Sequence, residues 1–325
     1  MLNYQIRFRI YTFILTGILL FTIDSCKKES NPLLTTTAVI YITQTLATCG
    51  GNITGDGGAA VIARGVCWGT NQTPTIADNK TANGTGTGSF TSIITGLTAN
   101  TTYYERAFAT NSAGTAYGSV VSFTTPGTVT DIDGNVYNTV IIGTQVWMVE
   151  NLKTTKYRNG DPIQYISDST QWNIYLNTGA YCTYRNDNSY ANIYGHLYNW
   201  YAVNDNRNIA PSGWHIPSND EWTTLTTFLG GISVAGSKLK EAGTVHWASP
   251  NTGATNETGF AALPGGYRNG YDGMYNWISD LLYLWSSDKI SSSTAYCQVM
   301  EYNYAESSYG FFEKIFGFSV RCLKD

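Results

Sequence analysis

The stretch Pro211–Leu225, PSGWHIPSNDEWTTL, places His215 within six positions of Asp220 and Glu221. A histidine flanked by carboxylates is either an acid–base site or the start of a helix, and the choice decides the fold of the C-terminal half. Ser218 followed three residues later by Glu221 is a capping-box pattern, in which the hydroxyl accepts an orphan backbone N–H and the carboxylate reaches back to the cap. Trp222, Leu225, Phe228 and Leu229 then recur at helical spacing and predict an inward stripe of about two turns. Asp220 and Glu221 become first-turn anions, each favoured by about 0.3–1 kcal/mol at the positive end of a helix. On this reading His215 precedes the cap and donates to a backbone carbonyl beneath Trp214. No serine or cysteine nucleophile is paired with it.

Outward from that helix, 325 residues suffice for two domains, each with its own core. Only 13% of residues are charged and the net charge is -4, so no basic stripe is available to neutralise phosphates, which excludes nucleic acid as a partner. Aromatic residues make up 14%, amid abundant Gly, Thr, Ser and Asn. That is the composition of short strands joined by tight turns.

Arg7 and Arg9 precede an apolar run from Ile10 to Ile23, too short to span a bilayer and right for the core of a signal peptide. Residues 1–25 are therefore expected to be removed. The run ends in TIDSCKKES, which resembles a bacterial lipobox with Cys26 as the lipidated residue, although Asp24 departs from the usual small or aliphatic residue. Lipidation would add about 0.8 kcal/mol per buried methylene, enough for durable anchoring. The expected location is outside the cell on a membrane, most simply the outer membrane, with residues 26–35 as a tether.

Residues 36–126 alternate in short runs broken by Gly, Asn and Thr, the spacing of an all-β sandwich. GLTANTTYYERAFATNSAGTAYGSVVSFTTP resembles the second half of a fibronectin type III module, with Leu97 and Tyr103 placed for its tyrosine corner. NGTGTGSF lacks the Gly-Lys-Ser/Thr of a phosphate loop and reads as a mobile hairpin tip. Cys49 and Cys67 lie on successive predicted strands and could bridge, closing a loop worth about 3 kcal/mol.

Beyond Pro126 come eight of the nine Trp and all three His. YGHLYNWYAV, the Pro211–Leu225 stretch, GSKLKEAGTVHW, TGFAALPGGYRNG, LWSSD and GFSVRCLKD occur there in order. Together these motifs resemble the Fibrobacter succinogenes major paralogous domain family, often called FISUMP. The resemblance implies, for residues 127–325, an α+β C-type lectin-like scaffold of the kind shared with formylglycine-generating enzymes. It also implies an exported surface protein.

Those enzymes use a reactive cysteine pair, so Cys182, Cys297 and Cys322 are candidates here. Cys297 and Cys322 on two late strands could be cross-strand partners and structural. Many family members carry a cysteine where this chain has Ala210, which leaves Cys182 as a substitute partner or a lone thiol. His196, His215 and His246 are spaced without a zinc pattern, and DIDGN at 131–135 lacks the remaining oxygens of a calcium loop, so no metal or cofactor is implied. Glu150, Asp161, Asp168, Asp187 and Asp272 are scattered in loops and read as turn-formers rather than a glycosidase pair.

Recognition remains. The insertion GGYRNGYDGMYNWISD, residues 265–280, combines aromatic faces with amides and carboxylates, which suits sugar rings and protein loops. Tyr271, Asp272, Tyr275 and Trp277 are the candidate ligand-binding residues, with Tyr267 and Arg268 read as structural. The expected function is a noncatalytic binding or adhesion module of a surface lipoprotein, for a polysaccharide or a surface protein. The alternatives are a formylglycine-generating-like or glycan-cleaving enzyme, and a structural surface-coat component.

Overall fold

A computed structural model describes residues 28–173 and 177–325; the lipobox Cys26 lies outside the described residues. No helix among them is long and apolar enough to cross a membrane.

The N-terminal strands are β1 Leu33–Thr36, β2 Leu46–Gly55, β3 Ala63–Gly69, β4 Asn79–Lys80, β5 Gly88–Thr95, β6 Thr102–Asn111, β7 Gly114–Tyr117 and β8 Val121–Thr124. They form two sheets, β1–β2–β5 and β4–β3–β6–β7, with β8 also paired to β6. Alternate residues of each sheet face inward, and Ala47, Cys49, Val66, Ile94, Leu97, Tyr103 and Phe123 meet between them. The Tyr103 hydroxyl accepts the Thr98 N–H at 3.1 Å, and its ring stacks on Phe123 at 5.8 Å. That is a tyrosine corner at the start of β6, in an all-β sandwich of fibronectin type III strand order.

Two expectations for this sandwich are overturned. Cys49 and Cys67 are separate thiols. The reason is strand parity: Cys49 points into the core, whereas Val66 takes the inward position on β3 and turns Cys67 outward, where its thiol meets the carbonyls of Pro74 and Arg106. The NGTGTGSF segment is not a hairpin tip. It crosses from β4 in one sheet to β5 in the other, and the Arg64 guanidinium pins it by donating to the carbonyls of Asn83, Gly86 and Thr87. Carbonyls facing a cation are the electrostatic reverse of a phosphate cradle.

The second unit carries β9 Thr128–Thr130, β10 Val136–Ile142, β11 Gln145–Met148, β12 Gln164–Tyr165, β13 Ala180–Cys182, β14 Leu197–Tyr198, β15 Trp214–His215, β16 Tyr267–Arg268, β17 Tyr275–Asn276, β18 Leu281–Lys289, β19 Thr294–Glu301, β20 Ser307–Glu313 and β21 Leu323–Lys324. Its helices are α1 Ser169–Trp172, α2 Asn188–Tyr194, α3 Trp200–Val203, α4 Asn219–Phe228 and α5 Ile232–Leu239. One sheet runs β15–β21–β11–β10–β9 and another β18–β19–β20. Trp147, Trp222, Leu225, Leu229, Phe260, Leu282, Leu284 and Met300 share one core.

Helix α4 starts as its sequence predicts. Ser218 Oγ accepts the Glu221 N–H at 3.3 Å, and Glu221 Oε2 accepts the Ser218 N–H at 2.8 Å. Phe228 departs from the inward stripe: it is 43% exposed, and its ring meets Tyr41 edge-on at 6.1 Å. Tyr41 comes from the segment joining β1 to β2 and is buried in the second unit's core. Ile42 and Ile141 exchange backbone hydrogen bonds of 3.0 and 2.8 Å beside it. The inward stripe therefore holds Trp222, Leu225 and Leu229, while Phe228 packs on the incoming chain.

Candidate functional site: an aromatic face on a pinned hairpin

Strands β16 and β17 form a short hairpin in which Tyr267 pairs with Asn276 and Arg268 with Tyr275. Side chains of paired residues share a face, so Arg268 and Tyr275 point one way and Tyr267 the other. Arg268 is fully buried. Its guanidinium donates to the carbonyls of Ile166, Ser167, Asp168 and Gly273, and lies 4.5 Å from the Trp172 ring centroid and 4.9 Å from that of Tyr275. One cation thus fastens the hairpin to the loop leading into α1, through charge-assisted bonds and two aromatic faces.

This parity decides which candidate residues are free. Tyr275 belongs to the inner side: its hydroxyl donates to Asn186 Oδ1 at 2.9 Å and its ring packs on Tyr184 at 5.2 Å. It is structural, a correction to its expected role. Asp272 is exposed, but its carboxylate accepts the Met274 N–H at 2.9 Å and shapes the hairpin turn. Tyr271 and Trp277 are 59% and 56% exposed. Trp277 sits at φ +58, a left-handed conformation that costs a non-glycine residue energy and that surrounding structure must hold in place.

The exposed rings do not disperse. Tyr271 meets the buried Phe316 at 5.8 Å, and Phe316 meets the half-buried Tyr267 at 6.0 Å, while Trp277 stands exposed on the same hairpin. Tyr267 contacts Tyr283 at 5.5 Å, and Tyr283 contacts Phe312 at 5.2 Å. A chain of ring contacts therefore runs from the aromatic face of the hairpin into the core beneath β18 and β20, with Tyr267, Tyr283 and Phe312 half-buried and Phe316 buried. Glu313 lies beside the Tyr271 hydroxyl and raises its pKa by accepting from it. Tyr267, Phe312 and Phe316 were missed as partners in these contacts. The available signal was the run GFFEKIF at 310–316, four apolar side chains too dense for a plain loop.

The other candidates are spent on structure. Glu150 accepts from both the backbone and the side chain of Asn138, Asp161 pairs with Arg207, and Asp168 and Asp187 cap α1 and α2. Asp131 and Asp133 are ringed by protein donors from Asn135, Tyr137, Thr155 and Lys156. No group of side chains suited to a metal occurs among the described residues. His246 bonds Glu241 at 2.8 Å, and His196 bonds Thr183 at 3.2 Å.

His215 does not donate to a carbonyl as expected: Nε2 lies 2.9 Å from Glu221 Oε1 and Nδ1 lies 2.7 Å from Asp325 Oδ1. Burial alone would lower its pKa, but the two carboxylates outweigh it and raise it. The arrangement is a clamp between the α4 cap and the end of β21, with no nucleophile bonded to it.

Cys182, Cys297 and Cys322 are also separate thiols. Cys297 stands in register between Trp285 and Gly310, whereas Cys322 adjoins β21 in the other sheet, so they are not cross-strand neighbours. Burial pushes all three thiols up, that of Cys182 to about 11 with Arg268 offsetting part of the shift. A thiol so held is a poor nucleophile.

The fold and this face define a strand-rich protein in which a sandwich precedes a loop-rich unit that exposes Tyr271 and Trp277 on one hairpin. Residues 140–324, more than half of the chain, match the Fibrobacter succinogenes major domain, and the chain belongs to that family. No curated protein sequence matches it. Among solved structures, it resembles the sixth fibronectin type III domain of human fibronectin type III domain containing protein 3, at 25% identity over 30% of this chain and 89% of that one, with a TM-score of 0.24. It also resembles a fourth human FNIII domain, at 17% identity over 34% and 90%, TM-score 0.25. A third likeness is to the sensor domain of the anti-sigma factor RsgI4 of Pseudobacteroides cellulosolvens, at 16% identity over 30% and 76%, TM-score 0.23.

Proposed function

We propose that this chain is a membrane-anchored surface protein whose second unit is a noncatalytic binding head for a polysaccharide or a surface protein. One observation carries the reading: the exposed rings of Tyr271 and Trp277, with Tyr271 backed by the buried Phe316, on a hairpin that Arg268 locks in place. Preorganised aromatic rings offer large contact area at low entropic cost, and their faces suit the apolar C–H patches of sugars. Short strands, the helix pair α4 and α5, and long pinned loops support a C-type lectin-like scaffold for this unit. Export and lipidation at Cys26 rest on the N-terminal sequence, with the sandwich as a spacer. The buried, high-pKa thiols support the noncatalytic reading over a cysteine-based oxidase.

The test is a glycan array and a surface-extract pull-down with the full chain. Trp277→Ala and Tyr271→Ala should each cost about tenfold or more in affinity, the range for exposed aromatic anchors. Absence of binding to glycans and extracts alike would reject the proposal.

A further inference from the structure

A second cleft of about 560 Å³ shares no residue with the aromatic face, and its lining includes Asp133, Asn135, Lys153, Asn188, Asn192 and His196. His196 is only 8% exposed, with its ring 4.9 Å from Tyr181 and 6.3 Å from Tyr198. Thr183 occupies Nδ1 at 3.2 Å, and Nε2 has no hydrogen-bond partner among the described residues. Burial, with Lys153 adding to it, brings the imidazole down to about 4, so it is neutral at physiological pH.

Lys153 has no carboxylate within ion-pairing distance among the described residues; its ammonium rests 5.6 Å from the centre of the buried Tyr137 ring. The acid in the lining is already compensated. Asp133 Oδ1 pairs with Lys156 at 3.0 Å, and Oδ2 accepts from Thr155. Asn188 and Asn192 stand one turn apart on α2, and neither side chain makes an intramolecular hydrogen bond among the described residues. The cleft thus presents one lysine with no ion-pair partner among the described residues, one neutral buried imidazole and two free amides, with Asp131, held by Asn135 and Tyr137, as a further carboxylate near the imidazole.

We propose that this cleft binds a small hydroxylated carboxylate, a sugar acid of the hexuronate type, with its carboxylate on Lys153 and its hydroxyls on His196 Nε2 and the amides of Asn188 and Asn192. One unpaired lysine matches a single negative charge, whereas a phosphate dianion would leave charge uncompensated. Amides and a neutral imidazole both donate and accept, as hydroxyls require. The site is independent of the aromatic face.

Calorimetric titration of the full chain with glucuronate, galacturonate, glucose and acetate tests it. At least one uronate should bind about tenfold or more tightly than glucose and than acetate. Lys153→Met should abolish at least that tenfold advantage, as loss of a charge-assisted hydrogen bond predicts. Asn192→Ala, on the exposed side of α2, should weaken uronate binding about threefold. Trp277→Ala should leave uronate binding unchanged, which separates failure here from failure of the aromatic-face reading. Absence of uronate binding, equal binding of glucose or acetate, or unchanged uronate affinity in Lys153→Met would overturn the proposal. Should Lys153→Met fail to fold, unchanged affinity in Asn192→Ala would overturn it.

Discussion

Glu105 in the sandwich and Arg268 in the second unit are both 0% exposed, yet their surroundings are opposite. Glu105 lies on β6 with neither carboxyl oxygen hydrogen-bonded among the described residues, and burial pushes its pKa up to about 8. It is buried by becoming neutral. Around Arg268, four carbonyls and two rings take the place of water. Lys240 is held likewise by the carbonyls of Thr252, Glu301 and Tyr304, Lys314 by those of Ser291 and Ser292, and Arg321 by Phe260 and Asn151.

The difference follows from backbone regularity. Strands of a sandwich pair their own N–H groups with one another, leaving no donor to solvate the buried carboxylate of Glu105. Long irregular loops leave carbonyls orphaned inside the protein, and each needs a donor. Buried cations supply several donors at once and so tie distant loops together. The hairpin bearing the aromatic face depends on this device.

The largest effect should come from Arg268→Met. It leaves up to four carbonyls without their donor, at about 1–3 kcal/mol each, for a loss above about 4 kcal/mol by urea denaturation. A loss under about 1 kcal/mol would break the comparison.

Next is the pH dependence of Glu105. Its folded pKa lies above its unfolded value, so its acid form favours the folded state. That stability is present below about pH 4.5 and is lost as pH rises towards about 8. Glu105→Gln, which cannot ionise, should therefore gain on the parent chain by about 3 kcal/mol between pH 4 and pH 7. Parallel stability–pH curves for the two chains would show that Glu105 is hydrated or paired.

The smallest effect sharpens the contrast with an ordinary ion pair. His215 has a raised pKa, so its clamp stabilises fully below its unfolded pKa, near 6.5, and fades as pH rises through the folded value. Because the clamp is partly exposed and solvent-screened, His215→Ala should cost no more than about 1 kcal/mol at pH 6 and less at pH 8. A cost equal at both pH values would mean that the imidazole is held neutral.

Local patterns were the legible part. The Ser218–Glu221 box and the Tyr103 corner depend on groups only a few residues apart; the box appears with its predicted partners, and the Tyr103 hydroxyl takes the Thr98 N–H beside Leu97. Phe228 was misplaced because Tyr41, 187 positions earlier, returns to cover it. His215 was misassigned because Asp325 closes on it across 110 residues. Cys49 and Cys67 looked bridgeable because strand positions were legible and strand parity was not. Within the hairpin, Tyr271, Tyr275 and Trp277 could not be told apart by sequence, because the inward direction of Tyr275 follows from its pairing with Arg268.

Sequence by itself therefore determined the strand-rich sandwich, the start of α4, the aromatic wealth of residues 265–280 and the absence of any basic stripe, since each is written in neighbouring side chains. Tertiary structure alone decided which rings join into one face, which thiols stay apart, and where Lys153 and His196 meet α2. Those outcomes depend on which carbonyls and rings distant loops bring within a few ångströms, and sequence order does not encode that distance.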